Sequence, residues 1–336
     1  MKKNGIVGHG LQLDHIEMML RNNKIPQTLL FSGIPGIGKR RIALRFMKAL
    51  FCSGEAPPCL GCPSCLQIMN GTHPDVIELS PNARGTIPIG DTGEPGTVRW
   101  LIDRLAKRSI SGRYGVIVNG VDHIAVQGQN ALLKTIEEPS DGTVIVLVTS
   151  NKSLILPTIL SRSTEIPFYQ LSSEEVLTIL KSHGIDVPHA TAAAEMAGGS
   201  VELAVMLTEK ENLDDIISLA EEICRFVRHG GFLNLEIDNI QKKIGIENVM
   251  SIMVNIFRSF LLGTLDGTAP DVIFADINIP DEKMIRRIIK IFLALRRGLT
   301  VNLNINQALK GMLYSMHDMD DTGLPDLTMA HIDTIG

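Results

Sequence analysis

The chain has 336 residues and a formal net charge of −5, from 32 Lys and Arg against 37 Asp and Glu. This length allows two or three domains, and the acidic balance excludes nucleic-acid binding by a global positive field, so any such contact needs a local basic patch. No apolar signal-peptide core follows the first residues, and the apolar segment 249–263 is interrupted by Asn255 and Arg258, so we expect a cytoplasmic protein.

The first predicted elements are a short buried strand at 28–31, a glycine-rich loop and a helix at 41–50. The loop at 33–39, GIPGIGK, follows the pattern G-x-x-x-x-G-K-[ST], in which glycines turn backbone N–H groups toward phosphates and the lysine reaches the β and γ oxygens. These candidate nucleotide-binding residues are Gly33, Gly36, Gly38 and Lys39.

The position after the lysine holds Arg40, where a Ser or Thr hydroxyl would bind Mg²⁺. A guanidinium has no lone pair to offer a metal. The sequence therefore predicts a nucleotide-binding fold with impaired chemistry, and it leaves open whether ATP or ADP still binds in this degenerate loop.

Four of the five cysteines form the pattern C-x₆-C-x₂-C-x₂-C within residues 52–65: Cys52, Cys59, Cys62 and Cys65. Zinc binds four thiolates tetrahedrally, and the x₂ spacings let a tight turn present two sulfurs to one ion. Because four sulfurs leave no open position, the sequence predicts a structural zinc site. Disulfides are disfavoured in a reducing cytosol, and an iron–sulfur cluster stays an alternative. The fifth, Cys224, lies in an apolar helical pattern and is predicted to be a core thiol.

Strands at 73–79, 115–119, 143–149 and 164–168 alternate with helices at 98–105 and 129–138. This alternation predicts a parallel sheet with helices on both faces. A working ATPase of this fold needs two carboxylates at the tip of the third strand, one for Mg²⁺ and one for the attacking water. That strand ends in Asn119-Gly120, and the nearby Asp122 is more typical of a helix cap or a solvated turn.

From residue 172 onward the strand signals stop, and Ser172 to Glu175 has the form of a capping box at a helix start. Short helices continue to about residue 207. Longer helices are predicted at 213–229, 246–262, 281–297 and 307–317, and we expect the tail after Met316 to fray.

Three further segments carry a family resemblance: GTHPD at 71–75, NALLKTIEEP at 130–139 and LPTILSRS at 156–163. Together with the loop and the cysteines, they resemble the sliding-clamp-loader branch of the AAA+ ATPases. The resemblance is dense from Ile6 to about Leu207 and thin beyond. It implies an α/β AAA+ base domain of the P-loop type at 1–169 that carries the zinc module, a small helical lid at 170–208, and an all-helical collar at 209–336.

In that family a Ser-Arg-Cys segment supplies an arginine finger to the ATP site of a neighbouring motor subunit. The resemblance gives this role to Arg162, in the sequence Ser161-Arg162-Ser163, which keeps the Arg and lacks the Cys. The alternative for this residue is a surface cation paired with a local acid. The lid of the family usually has a sensor Arg where Glu202 stands here, and Thr149 or Ser150 occupies the first sensor position.

Clamp loaders also grip primer–template DNA through helix N-termini and basic side chains. The candidates for this contact are Lys107, Arg108, Arg113 and Lys134. A solvated helix face explains each of them equally well, and no basic–aromatic alternation indicates a stacking platform.

The resemblance implies a stationary clamp-loader subunit in DNA replication that hydrolyses little or no ATP and lends Arg162 to a neighbour. Zinc would be its structural cofactor. Its partners would be motor subunits and a clamp-opening subunit in a hetero-pentamer, with the sliding clamp and primed DNA reached through the complex. Two rival hypotheses are an active motor ATPase of the same loader and a zinc-dependent DNA-binding adaptor.

Overall fold

The computed structural model describes residues 5–185, 189–235, 237–266, 274, 277–298 and 304–318. It divides into two compact units, Met1–Leu171 and Ser172–Gly336. The first unit is an α/β layered structure and the second is helical throughout its described part.

In its described part, residues 5–171, the first unit contains five strands and six α-helices. In chain order these elements are α1 (Gly10–Arg21), β1 (Thr28–Ser32), α2 (Lys39–Leu50), α3 (Pro63–Met69), β2 (Val76–Leu79), α4 (Val98–Leu105), β3 (Gly115–Asn119), α5 (Val126–Glu137), β4 (Val144–Thr149), α6 (Pro157–Leu160) and β5 (Thr164–Pro167). The strands form one sheet in the order β2-β3-β4-β1-β5, and every neighbouring pair is parallel. The predicted parallel sheet is confirmed.

Both faces of the sheet are covered, which is why its central strands are apolar at nearly every position. Phe31 and Val146 point into a core formed with Phe46 of α2. Leu30 and Leu147 belong to a second core on the other face. Parallel strands have their carboxyl ends at one edge, so the loops after β1, β3 and β4 open beside one another.

Some elements differ from the prediction at their ends. The helix after the glycine-rich loop begins at Lys39, and α5 begins at Val126 instead of residue 129. The strand β2 starts only at Val76. Helix α1 was not predicted, although Leu13, Ile16 and Met19 recur at helical spacing and are buried.

The second unit consists, in its described part, of eight helices and no strand; its helical character was predicted, whereas the helix at Ile237–Ile244 was not. They are α7 (Ser173–Ser182), α8 (Ala190–Met196), α9 (Val201–Leu207), α10 (Lys210–His229), α11 (Ile237–Ile244), α12 (Ile246–Asp266), α13 (Glu282–Gly298) and α14 (Ile305–Asp318). The predicted capping box is confirmed: Ser172 Oγ accepts from Glu175 N at 3.1 Å, and Ser172 N donates to the Glu175 carboxylate at 2.9 Å. Of the tail predicted to fray after Met316, His317 and Asp318 still belong to the last helix, and the rest lies outside the described residues.

Helix α12 is longer than predicted and, by length and composition alone, is long and apolar enough to cross a membrane. Its apolar face nevertheless packs inside the second unit, where Phe257 stacks on Phe292 of α13. Asn255, at its middle, donates to Met196 O at 3.0 Å. These contacts are those of a core helix. They also tie α8 to α12 within one unit, and the lid–collar boundary at 208/209 stays a prediction.

A buried carboxylate anchors the loop between α4 and β3. Asp75 is fully buried; it accepts hydrogen bonds from Ile110 N at 3.0 Å and from the backbone and hydroxyl of Ser111 at 2.5 and 2.7 Å. Burial would raise the pKa of this carboxyl, but the hydrogen bonds from Ser111 and Ile110 outweigh burial and lower the pKa below its ordinary value. The loop it holds carries Arg108 and Arg113, two of the candidate DNA contacts.

We expect Asp75→Asn to lower the free energy of unfolding by about 1–3 kcal/mol at pH 7, because the amide would turn its own N–H₂ group toward N–H donors. Since the folded-state pKa is lowered, the stabilisation by this carboxylate is present above about pH 4 and is lost as the pH falls through the folded value. Urea titrations at pH 7 and in acid should therefore show the difference from the parent shrinking.

Asp91→Asn is the control, because this exposed carboxylate makes only a 3.4 Å contact with Arg99. It should change stability by less than about 0.5 kcal/mol. Equal losses in the two variants, or a difference that does not change with pH, would contradict the assignment of Asp75.

Candidate functional site

The glycine-rich loop lies between β1 and α2, at the carboxyl edge of the sheet. Its three candidate glycines have positive φ values: 149° at Gly33, 75° at Gly36 and 92° at Gly38. A Cβ atom at position 33 would lie 2.4 Å from Phe168 O, so this position is also restricted by packing. The structure thus brings the three glycines and Lys39 together in one loop, in the arrangement that cradles phosphates elsewhere.

The loop lysine is bound to the loop itself. Lys39 is 5% exposed, and its Nζ donates to Gly33 O at 2.6 Å and to Ile34 O at 2.5 Å. The same ammonium lies 3.3 Å from Ser150 Oγ, after β4. Of the two first-sensor candidates, Ser150 therefore faces the loop, whereas Thr149 is buried and accepts from Asn151 N.

Arg40, at the metal-anchor position, is directed away from the loop toward β2. Its Nη2 donates to Glu78 Oε2 at 2.9 Å, and its Nε donates to the other oxygen of the same carboxylate. Hydrogen bonding to Glu78 raises the pKa of Arg40 above its ordinary value. A bidentate ion pair therefore stands where the fold usually places a hydroxyl for Mg²⁺.

The tip of β3 offers no carboxylate. Asn119 Nδ2 lies 3.4 Å from Ser80 Oγ, and Gly120 follows with φ 94°. A Cβ at position 120 would lie 2.8 Å from Cδ2 of His123. The backbone here is in a conformation that residues with side chains rarely adopt, so the geometry as well as the sequence disfavours an acid at this position.

The prediction for Asp122 was wrong. This residue is neither a helix cap nor a solvated turn: its Oδ2 accepts from Ser150 N at 3.1 Å and from Asn151 N at 2.9 Å. It joins the turn after β3 to the loop after β4. The sequence could not show this contact because it depends on β3 and β4 being neighbours in the sheet.

The four cysteines converge as predicted from their spacing. Their Sγ atoms all lie within 4.8 Å of one another, and those of Cys52 and Cys62 are 4.0 Å apart. Tetrahedral Zn–S bonds of about 2.3 Å place sulfurs about 3.8 Å apart. Gly54 N and Cys59 N each donate to Cys52 Sγ at 3.3 Å, and Cys65 is carried by α3. The donor set therefore fits a tetrahedral, thiolate-binding cation.

Local hydrogen bonds favour the thiolate form of Cys62 more than that of Cys65. Backbone N–H groups of Cys65 and Ser53 lower the pKa of the Cys62 thiol to about 5. Burial raises the pKa of Cys65 to about 12, so that thiol needs a bound cation to ionise at neutral pH. Away from the cluster, burial likewise raises the pKa of Cys224 to about 12, in agreement with a core thiol.

Arg162 lies in the turn between α6 and β5 and is exposed. Its Nε forms an ion pair with Glu137 Oε1 at 2.7 Å, and its Nη1 donates to Thr158 O at 3.1 Å and to Ser161 Oγ at 3.3 Å. The local ion pair considered as the alternative is therefore present. Because the side chain is 40% exposed, it also remains accessible from outside the chain.

Three of the four candidate DNA contacts, Lys107, Arg108 and Arg113, lie in the segment between α4 and β3, and the fourth, Lys134, lies on α5. Lys107 forms an ion pair with Asp103 at 2.7 Å, and Arg108, Arg113 and Lys134 are exposed. Glu202 belongs to the second unit, where it is exposed in the first turn of α9, a favourable place for a carboxylate at a helix N-terminus. That Glu202 stands in place of the family's sensor Arg stays a prediction.

Comparison with known proteins gives a consistent family assignment. Residues 8–172 match the family model described as "DNA polymerase III, delta subunit". The chain is 27% identical over 219 residues to the DNA polymerase III subunit delta' of Bacillus subtilis strain 168, which covers 63% of the chain and 64% of that relative. It is 35% identical over 140 residues to the subunit delta' of Pseudomonas aeruginosa, covering 40% of the chain and 41% of the relative.

A DNA polymerase III subunit with another name also matches the chain. The DNA polymerase III subunit tau/gamma of Haemophilus influenzae is 32% identical over 200 residues, covering 57% of the chain and 28% of that relative. In each of these three cases the match spans less than two thirds of the relative's own length. The family model, these relatives and the parallel-sheet fold agree in placing residues 8–172, which make up most of the first unit, in the family of DNA polymerase III clamp-loader subunits.

Proposed function

We propose that the chain is the non-hydrolysing stator subunit of a DNA polymerase III clamp loader. In this role it joins gamma/tau-type motor subunits and a delta-type subunit in a cytoplasmic hetero-pentamer. The complex opens the sliding clamp and places it on primer–template DNA during replication. The chain itself holds the assembly and lends an arginine to a neighbouring ATP site.

The proposed absence of hydrolysis rests mainly on the residues at the tip of β3. Hydrolysis of a nucleoside triphosphate in this fold needs one carboxylate near Mg²⁺ and one at the attacking water. The two positions hold Asn119 and Gly120, and the positive φ of Gly120 would strain any replacement with a side chain. One oxygen of Asp122, two residues later, already accepts from two backbone N–H groups, and its other oxygen is buried without a hydrogen-bond partner in the described part of the chain.

The start of α2 supports the same conclusion independently. The Arg40 guanidinium is held by both oxygens of Glu78, so the usual hydroxyl ligand is replaced by a cation with its own partner. Lys39 and the three loop glycines are retained. ATP or ADP as a structural ligand, without well-held Mg²⁺, is therefore compatible with this site, whereas turnover is not.

We expect no steady-state ATPase from the purified chain, with or without primed DNA. The double variant Arg40→Thr/Asn119→Asp restores a hydroxyl and one carboxylate, and it should still not turn over, because position 120 supplies no acid for the water. A coupled phosphate-release assay measures this, with an active motor subunit assayed in parallel. Turnover of the parent chain at about one per second or above would instead support an active motor ATPase.

The proposed finger role of Arg162 rests on its exposure and on the resemblance of the segment 161–163. A guanidinium that reaches a neighbour's γ-phosphate stabilises charge in the transition state, and such residues contribute about 10³- to 10⁵-fold to the rate of phosphoryl transfer. The residue is 40% exposed in the isolated chain, as a group that acts on another subunit must be.

Arg162→Ala should leave folding and assembly unchanged and reduce DNA-stimulated ATPase and clamp loading by the reconstituted complex, because one ATP site loses its finger. Arg84→Ala, which removes another exposed arginine of the same unit, should leave ATPase unchanged. Phosphate release and loading of a labelled clamp provide the measurement. Full activity of the Arg162 variant would show that the finger assignment is wrong.

The cysteine cluster is proposed to hold one structural Zn²⁺. The convergence of four sulfurs within 4.8 Å supports zinc, and the backbone N–H donors at Cys52 favour thiolates. No step of ATP chemistry involves this ion. Its contribution would be to fold the segment 52–65, which is too short to form a core of its own.

Metal analysis of the purified protein should give about one Zn²⁺ per chain. Gly54→Ala should lower this content, because the added Cβ would lie 2.8 Å from Cys59 Cβ and displace that ligand. Gly61→Ala is the matched control, since a Cβ there has no atom within 4 Å. A protein that is free of metal yet fully stable would exclude the zinc assignment.

The rival adaptor hypothesis predicts strong, salt-sensitive DNA binding by the isolated chain. The net charge of −5 and the Lys107–Asp103 pair favour a contact that forms only within the complex. Sizing the chain with candidate loader subunits, and measuring DNA binding before and after assembly, separates the two hypotheses.

A further inference from the structure

Two segments that the sequence singles out separately meet at one ion pair. The first is 130–139, which forms most of α5, and the second is 156–163, which contains α6 and Arg162. The two segments share an apolar core, and at its edge they are joined by the 2.7 Å ion pair of Arg162 Nε with Glu137 Oε1. The resemblance gives Arg162 a role but gives none to Glu137.

The guanidinium of Arg162 is fixed along two of its edges. Its Nε is bound by Glu137, and its Nη1 is bound by Thr158 O at 3.1 Å and Ser161 Oγ at 3.3 Å. Within the described part of the chain, Nη2 makes no hydrogen bond. Since the group is planar and its donors form a rigid fork, fixing two nitrogens sets the direction in which the third points.

Glu137 is placed by a rigid element. It is the last residue of α5, whose Leu132 and Ile136 are buried in the core beneath the sheet. A carboxylate in the last turn is unfavourable for the helix itself, because the carbonyl end of the helix dipole is negative. Helix stability therefore does not explain an acid at this position, whereas the neighbouring guanidinium does.

We propose that Glu137 is a positioning residue for Arg162. It holds the guanidinium so that Nη2 is presented to the ATP site of the adjoining subunit while Nε remains on the carboxylate. This inference rests on the proposed finger role of Arg162 and adds a residue through which that finger acts. The partner it serves is the γ-phosphate of a nucleotide bound by the neighbour.

The geometry favours positioning over sequestration. Both side chains are about 40% exposed, so the ion pair leaves the guanidinium accessible to a phosphate from outside the chain. A phosphate can accept from the outward Nη2 without breaking the contact with Glu137. Loss of the carboxylate should therefore leave the finger present but poorly aimed.

The test is Glu137→Ala in the reconstituted complex, compared with Glu137→Gln and with the control Glu138→Ala, the adjacent exposed acid. We expect Glu137→Ala to lower the maximal rate at the adjoining ATP site about tenfold, within the about 10²-fold that a 1 Å misplacement can cost, with KM for ATP and assembly unchanged. Glu137→Gln keeps an acceptor oxygen and should restore part of the rate. Glu138→Ala should match the parent.

A double variant separates this inference from the proposed function. In the Arg162→Ala background, Glu137→Ala should cause no further loss, since the carboxylate acts only through the arginine. Losses that add, a rate equal to that of the control, or a higher rate than the parent would each overturn the positioning role while leaving the finger intact. Full activity of Arg162→Ala alone would instead overturn the proposed finger.

Within the isolated chain, ¹⁵N relaxation of the Arg162 Nε–H gives a readout that does not depend on ATPase. The Nε–H should be ordered in the parent and in Glu138→Ala, and mobile on the picosecond–nanosecond timescale in Glu137→Ala. An Nε–H that is equally mobile in all three proteins would contradict the fixed geometry.

Discussion

The parallel pairing of β1 between β4 and β5 is the constraint on which the candidate site depends. Ser32 lies opposite Thr149 on one side and Pro167 on the other, so the chain leaves all three strands at the same edge. The glycine-rich loop, the loop at Ser150 and the segment after β5 are thereby brought within hydrogen-bonding distance. The contacts of Lys39 with Ser150 and of Gly33 with Phe168 follow from this register.

The charged groups at this edge of the sheet are balanced differently from those of an active enzyme of this fold. In an active enzyme of this fold, phosphate charge is balanced by a lysine, a metal and the acids that hold the metal. Here Arg40 binds both oxygens of Glu78, and Oδ2 of Asp122 accepts from two backbone N–H groups. Such pairing stabilises the edge of the sheet without any ligand, which agrees with the proposed role of a non-hydrolysing subunit.

Local pattern was sufficient for most of the fold. Buried apolar runs located all five strands, and a capping box located the start of α7, because these signals are written in consecutive residues. The spacing of the cysteines was likewise enough to predict their convergence. The helix ends and α1 were less well predicted, since amphipathic spacing does not define where the first turn begins.

Contacts that depend on strand order could not be predicted from the sequence. The partners of Arg40 and Asp122 lie 38 and about 28 residues away along the chain, and they are neighbours only because β2, β3 and β4 are adjacent. The partner of Arg162 was foreseen as an unnamed acid, and the structure identifies it as Glu137. Any role of the second unit toward a nucleotide depends on spatial contacts that the residue pattern along one chain does not show.

The close approach at Gly33 changes what a phosphate-loop signature means. Any side chain at this position would collide with the backbone carbonyl of Phe168, at a φ of 149° that already favours glycine. The residue would be required in a protein that never met a nucleotide. In members of such folds that have lost the chemistry, this glycine therefore reflects how the end of the strand packs. Chemistry is better indicated by positions where side chains can be exchanged without a clash.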